Sequence, residues 1–235
     1  MGLGINIAIY TYTCLLPNNK KDMSFDYSKI KEVPFENYYN EKIEKSQIYL
    51  HHTAGGPSGE QVFQFWGSDP VRVATCVVIS NDGTIVQGFP SSRWAYHLGL
   101  KSQAFANMRA PYIPLDKMSI GIEICNWGPL TFKDDKFYTY VNKVLNEKDV
   151  IKLDIPYKGV FYWHNYTDAQ IDSTISLLKL WNEKYGIPLT YNEDIWDVTP
   201  RAFKGEPGVY THNSVRKDKA DVYPHPKLIQ ALKSL

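Results

Sequence analysis

The sequence contains few cysteines, little net charge and no long apolar run, and each absence narrows the possible functions. Cys14, Cys76 and Cys125 form no CxxC pair and no even framework for disulfides. We therefore expect reduced, buried thiols of the kind found in proteins made in a cytosol. The net charge of the 235 residues is +1, so no field of one sign indicates nucleic acid or an acidic membrane as a partner.

Signals for export or membrane insertion are also missing. The first residues, MGLGINIAIYTYTCLLPNN, have no basic residue before the apolar run, and polar Asn and Thr interrupt it, which is unlike a signal peptide. Isoleucines at positions 5, 7 and 9 alternate with other residues, which favours a strand. No segment approaches the length of a transmembrane helix. We expect a protein that is made in the cytoplasm without an export signal of its own.

Predicted strands and helices alternate along most of the chain. QIYLHH and MSIGIEICNW predict strands, and SGEQVFQFWGS predicts a short helix capped by Ser58. ATCVVIS and TIVQGF predict a hairpin that turns at NDG, and LTFKDDKFYTY allows a second hairpin. The pattern predicts an α/β fold in a single domain, with a central mixed β-sheet flanked by helices. Residues 1–46 are predicted to be an N-terminal extension that packs on the main domain, residues 47–235.

The clearest helix is predicted for YTDAQIDSTISLLKLWNEKYGIP. Thr167 and Gln170 are spaced as a capping box. Ile171 and Leu178 recur on one face, and Gly186 is placed to end the helix.

Two neighbouring histidines end the first strand of the main domain. Side chains alternate along a strand, so His51 and His52 point to opposite faces. A histidine at a strand end, followed by the small residues TAGG, can reach a cleft and serve as a metal ligand. For any single histidine, a hydrogen-bonded structural role is the commoner one. Residue patterns alone leave open which of the two faces a site.

The C-terminal segment GVYTHNSVRKDKADVYPHP adds further candidate ligands. A short apolar strand delivers His212, and a polar loop then brings Lys219 and Asp221 near it. Zinc hydrolases use three ligands drawn from His, Asp, Glu and Cys and leave one position for water. The alternative is a solvated charged loop, which is usual for a run such as RKDKAD.

A carboxylate interrupts the apolar strand SIGIEI. Ile120, Ile122 and Ile124 share one face, so Glu123 lies on the other face beside Gly121. An unpaired buried charge is costly. The two explanations are a structural ion pair and a catalytic role.

Six motifs in order, IYLHHTAG, ISNDGTIVQGFP, WAYHLG, SIGIEICNWG, YTDAQI and THNSVRKDKADVYPHP, give the chain a family resemblance. Together they resemble the type 2 N-acetylmuramoyl-L-alanine amidases, whose fold is shared with peptidoglycan recognition proteins. The resemblance runs from about residue 47 to residue 226, and the form without an export signal looks most like a phage endolysin. It implies a zinc enzyme that cuts the amide between N-acetylmuramic acid and L-alanine in peptidoglycan. It further implies a monomer that is made in the host cytoplasm and acts on the cell wall after release.

The resemblance assigns roles residue by residue. It implies that His51, His212 and Asp221 hold Zn²⁺, which leaves His52 for packing on the other face. Glu123 matches the catalytic glutamate and Lys219 a lysine near the metal. His97, in AYHLG, matches a groove histidine that contacts substrate.

The chain departs from the family pattern at two points. Thr75 stands where some relatives have a catalytic tyrosine, which favours Glu123 as the proton carrier. The interval from His212 to Asp221 is one residue shorter than in the PGRKTDPG version of the motif.

The rival hypothesis is a peptidoglycan-binding module without activity, which needs the groove but not the third metal ligand. No GxSxG, P-loop or GxGxxG motif supports another α/β hydrolase.

Overall fold

The computed structural model describes residue 28 and residues 30–235, and a mixed sheet forms the centre of this part of the chain. Six strands lie in the spatial order β1-β4-β3-β5-β2-β11. In chain order, the strands are β1 (Ile30–Glu32), β2 (Gln47–His52), β3 (Val77–Ile79), β4 (Ile85–Gln87), β5 (Ser119–Ile124), β6 (Thr131–Lys133), β7 (Lys136–Tyr138), β8 (Val144–Leu145), β9 (Val150–Tyr157), β10 (Val160–His164) and β11 (Gly208–Thr211).

Helices accompany the sheet, as expected for strands buried in an α/β domain. The predicted α/β fold with a mixed central sheet is therefore confirmed. The helices are α1 (Gly59–Gly67), α2 (Ser102–Asn107), α3 (Leu115–Met118), α4 (Asp168–Tyr185), α5 (Pro200–Phe203) and α6 (Pro226–Lys233).

The three strands that carry the candidate residues run parallel to one another. Strand β2 lies between β5 and β11, with His51 beside Glu123 and Thr211 beside Leu50. Every residue of β2 is buried, and β5 is buried except at Glu123. Parallel strands present their carboxyl ends at one edge of the sheet, where ligands of α/β proteins bind. The topology therefore gathers the ends of β2, β5 and β11 at one place.

The predicted hairpins both form. Strands β3 and β4 pair antiparallel across the NDG turn, and β6 pairs antiparallel with β7. Strands β6, β7 and β8 make a small sheet, and β9 and β10 make another. These two sheets form an insertion, residues 131–164, between β5 and α4. The chain bonds back to β10 just before the insertion, where Leu130 N–H donates to Tyr162 O at 2.9 Å.

Local sequence signals fix the helix ends. Ser58 Oγ accepts from Gln61 N–H at the start of α1, and Thr167 forms the predicted capping box with Gln170 at the start of α4. Helix α4 ends at Gly186, whose φ of +69° lies in the left-handed region that favours glycine. The caps predicted for both helices are confirmed.

Residues 30–46 lie against the central sheet. Strand β1 pairs parallel to β4 at the sheet edge, and the Phe35 ring packs against Phe63 and Phe89. The strand predicted at positions 5–9 and Cys14 fall outside the described residues, and the boundary of the extension at residue 46 stays a prediction. Cys76 and Cys125 are free, buried thiols, as expected. Within the described part, no helix has the length and apolar character needed to cross a membrane.

Candidate metal centre and active site

Three side chains converge at the carboxyl edge of the sheet. His51 Nδ1 lies 3.1 Å from His212 Nδ1 and 3.2 Å from Asp221 Oδ2, and His212 Nδ1 lies 2.9 Å from the same oxygen. Both histidines are buried and Asp221 is half-buried. Their ligand atoms form a group able to hold a metal ion. The loop after β11 closes on the site despite its shorter interval, so the three predicted ligands are brought together.

The donor set fits zinc. Tetrahedral zinc, with ligands at 2.0–2.2 Å, separates its ligand atoms by roughly 3.3 Å, close to the three distances observed. His212 Nε2 lies 3.1 Å from Leu98 O, which only accepts hydrogen bonds. In the neutral ring the proton therefore sits on Nε2, and the Nδ1 lone pair points at the Asp221 carboxylate. An imidazole lone pair that faces a carboxylate is favourable only with a positive charge between the two groups, whether a proton or a metal ion.

Burial and neighbouring side chains together favour the metal-binding forms of His51 and Asp221. Burial lowers the pKa of His51 to about 4, helped by His212 and opposed by the Asp221 carboxylate. Burial alone would raise the pKa of Asp221, but the His212 and His51 rings hold it well below its usual range. Metal ligands must be neutral imidazoles and ionised carboxylates. The directions of the His51 and Asp221 pKa shifts favour these forms at neutral pH.

Glu123 lies next to the ligands on β5. Its half-buried side chain lines the same cleft as His51 and Lys219. Burial and then the charge of Asp221 raise the pKa of Glu123 well above its usual value, while Lys219 opposes that rise. Carboxyl groups with raised pKa values in clefts are candidates for proton transfer. Thr75 also lines the cleft, but its hydroxyl donates to Val77 O at 2.8 Å.

His52 occupies the opposite face of β2, as the strand alternation predicts. Its Nδ1 lies 3.2 Å from the Tyr166 hydroxyl. The space around its Nε2 is tight, because a Cβ added at Gly128 would lie 2.7 Å from that atom. His52 is therefore a packed, hydrogen-bonded residue beside the start of α4.

His97 lines the cleft and also contacts a candidate ligand. Its Nδ1 lies 3.0 Å from His51 Nε2, and its Nε2 lies 2.9 Å from Ser119 Oγ. Contact with substrate stays a prediction for His97, whereas its contact with His51 was not foreseen.

The structure adds groups to the site that the sequence analysis missed. The cleft, about 480 Å³ in volume, is lined by four aromatic residues besides the candidate ligands. Trp127 had a local signal, since it follows the strand that carries Glu123 by three residues. Leu98 had none, because its contribution is a backbone carbonyl. The aromatic residues are Trp66, Tyr96, Trp127 and Tyr140.

Comparisons with known proteins show the family to which the chain belongs. Residues 41–226 match the family described as N-acetylmuramoyl-L-alanine amidase. No curated protein sequence matches the chain. Among solved structures, a mutant of PlyL aligns over 88% of this chain and 99% of its own, with 16% identity and a TM-score of 0.50. The N-acetylmuramoyl-L-alanine amidase LysC from Clostridium intestinale URNW aligns over 87% and 95%, with 16% identity and a TM-score of 0.45.

Proposed function

The chain belongs to the N-acetylmuramoyl-L-alanine amidase family, and we propose that it hydrolyses the amide between N-acetylmuramic acid and L-alanine in peptidoglycan. The observation that carries this proposal is the convergence of His51, His212 and Asp221 beside Glu123 in one cleft. A module that only binds peptidoglycan has no need for this group of ligands next to a carboxyl with a raised pKa.

Zinc is the proposed cofactor, held by His51 Nδ1, His212 Nδ1 and Asp221 Oδ2. When bound, it supplies a Lewis acid that polarises an amide carbonyl and makes water nucleophilic near neutral pH. Three protein ligands are the number found in catalytic rather than structural zinc sites.

Glu123 is the proposed proton carrier. Its carboxylate accepts a proton from the attacking water, and the resulting acid donates that proton to the nitrogen of the leaving L-alanine. The positive charge of Lys219 favours the ionised form needed for the first step, while the raised pKa favours the protonated form needed for the second. Lys219 also lines the cleft, where its ammonium group stabilises negative charge that develops on the carbonyl oxygen.

The cleft suits a large substrate with both sugar and peptide parts. The rings of Trp127 and Tyr140 lie 6.3 Å apart in its lining, and Tyr96 and Trp66 also line it. Rigid aromatic rings with few polar groups are common in ligand sites. We propose a monomeric lytic enzyme of the endolysin type that is made in a host cytoplasm and reaches the wall after release, as the sequence resemblance implies.

Analysis of digested cell wall tests the reaction. Purified peptidoglycan is incubated with the protein, and the soluble fragments are identified by mass spectrometry. The proposal expects stem peptides with a free L-alanine amine and glycan strands with intact lactyl groups. Cleavage between sugars or within the stem peptide contradicts the proposed bond. Pelleting with the wall without any product supports the binding module instead.

A further inference from the structure

One short segment contacts the Nε2 atoms of both candidate ligand histidines. His97 Nδ1 lies 3.0 Å from His51 Nε2, and the next residue, Leu98, places its carbonyl oxygen 3.1 Å from His212 Nε2. These contacts are made on the ring side away from Asp221. Two consecutive residues therefore border both imidazoles at once.

Asp116 holds this segment in place. Its Oδ1 accepts hydrogen bonds from the backbone N–H groups of His97 at 2.8 Å and Leu98 at 2.9 Å. Asp116 lies in α3, immediately before β5. The position of the segment therefore depends on one carboxylate from a neighbouring element.

Ser119 fixes the proton positions along the chain of hydrogen bonds. Its hydroxyl donates to Leu115 O at 2.6 Å, so Ser119 Oγ can only accept from His97 Nε2, 2.9 Å away. Because the His97 Nε2 proton is donated to Ser119, the Nδ1 of the neutral His97 ring is the acceptor nitrogen. His51 Nε2 must then donate to His97, which leaves the His51 Nδ1 lone pair free to face Asp221.

We infer that Asp116 and Ser119 are positioning residues for the metal centre, which they reach through His97 and Leu98. Asp116 sets the place of the contacts to both ligand histidines, and Ser119 sets the direction of hydrogen bonding at His51. The same arrangement makes His97 a support for His51. This inference rests on the zinc site of the proposed function. It gives a positioning role to two residues that take no part in the proposed reaction.

Zinc affinity tests the inference without relying on turnover. The variants Ser119→Ala, Asp116→Ala and Asp116→Asn are prepared as full chains, and the zinc dissociation constant is measured by competition with a chromophoric chelator. Loss of contacts that orient ligand histidines typically weakens metal binding by about 10–100-fold. We expect that loss for Ser119→Ala and Asp116→Ala. Asp116→Asn retains an oxygen that accepts both N–H groups and is expected to bind zinc nearly as wild type does.

Ser176→Ala is the matched control. Ser176 Oγ donates to the carbonyl four residues earlier, Asp172 O, at 2.8 Å, as Ser119 does to Leu115. It lies on α4, away from the centre, and its loss is expected to leave zinc affinity unchanged. Melting temperatures of the metal-free variants separate loss of zinc from loss of fold.

Each result decides one point. Wild-type affinity in both Ser119→Ala and Asp116→Ala overturns the inference and leaves the proposed function standing. Equal weakening in Asp116→Asn and Asp116→Ala also overturns the role given to the Asp116 oxygen. Weakened zinc binding in a protein that cuts no muramoyl amide supports the inference and overturns the function. A wild-type chain that binds no zinc overturns both.

Discussion

At the scale of single residues, the paired histidines show how strand alternation divides two identical side chains between two tasks. His51 faces His212 and Asp221, while His52 bonds to Tyr166 on the other side of β2. We expect His51→Ala to abolish zinc binding, since a methyl group cannot ligate metal. His52→Ala is expected to keep about one zinc per chain and to lose roughly 1–3 kcal/mol of stability, because it removes a buried hydrogen-bonded ring.

Zinc content by elemental analysis and unfolding by urea check this pair of variants together. The two proteins serve as controls for each other, since each removes one imidazole from the same strand. Metal content that follows His52 rather than His51 contradicts the assignment.

A substitution at Glu123 separates proton transfer from the binding of zinc and cell wall. Glu123→Gln keeps the shape of the side chain but removes the carboxylate, and general acid–base catalysis contributes about 10²–10⁴-fold. We expect kcat to fall by that factor while zinc content and pelleting with the cell wall persist. Turnover, zinc content and pelleting are measured on one preparation. Near-normal turnover would indicate that Glu123 has a structural role. Loss of zinc would indicate that Glu123 is a metal ligand.

At the scale of elements, the insertion of residues 131–164 supplies one border of the cleft. The Tyr140 ring lies 6.3 Å from the Trp127 ring, and Lys143 Nζ lies 5.2 Å from the Trp127 centroid. Tyr140 is 67% exposed, so its ring is available to a ligand in the cleft. The turn between β7 and β8 thereby places the Tyr140 ring in the lining of the cleft.

Removing this surface should affect substrate binding more than chemistry. We expect Trp127→Ala to raise KM for peptidoglycan about tenfold, which corresponds to roughly 1.4 kcal/mol, with kcat nearly unchanged. Phe65→Ala is the control, since Phe65 is 74% exposed on α1 and does not line the cleft. Steady-state rates on solubilised peptidoglycan measure both constants. An unchanged KM, or a fall in kcat alone, argues against a binding role for Trp127.

The elements of the sheet were predictable because local signals determine them. The NDG turn, the Ser58 and Thr167 caps and the alternation in SIGIEI each act over a few residues, and all appear in the structure. The separate support from Leu98 and Asp116 was not predictable. It depends on a backbone carbonyl and on the docking of α3 against a distant loop. Neither feature can be recognised from the identity of the residues.

At the scale of the whole molecule, buried neutral histidines link folding to pH. Burial lowers the pKa values of His52, His164 and His225 to about 4, and these residues lie in β2, in β10 and at the N-cap of α6. His164 Nδ1 accepts from Trp127 N–H at 3.1 Å, and His225 Nδ1 accepts from Leu228 N–H at 3.3 Å. A proton on either acceptor nitrogen breaks its bond. Acid therefore loosens the molecule at several places outside the metal centre.

His225 offers the sharpest test of this linkage, because it caps α6 in its neutral form. Between about pH 6.5 and about 4, the unfolded chain protonates this ring and the folded chain does not. The free energy of unfolding therefore falls as pH falls through that window, by up to about 1.4 kcal/mol per pH unit for one group. His225→Asn keeps a good helix cap but does not titrate. We expect the wild type to lose stability more steeply than His225→Asn between pH 6 and 5.

Urea unfolding of chelator-treated samples at pH 5, 6 and 7 gives both slopes without interference from metal. Burial raises the pKa values of Glu123 and Asp116, and protonation of these carboxyls acts in the opposite direction. Glu123 and Asp116 are present in both the wild type and His225→Asn. The difference between their two slopes of stability against pH is therefore due to His225. Parallel slopes would mean that the folded chain accepts the proton at His225 as readily as the unfolded chain, and that α6 does not need a neutral ring at its cap.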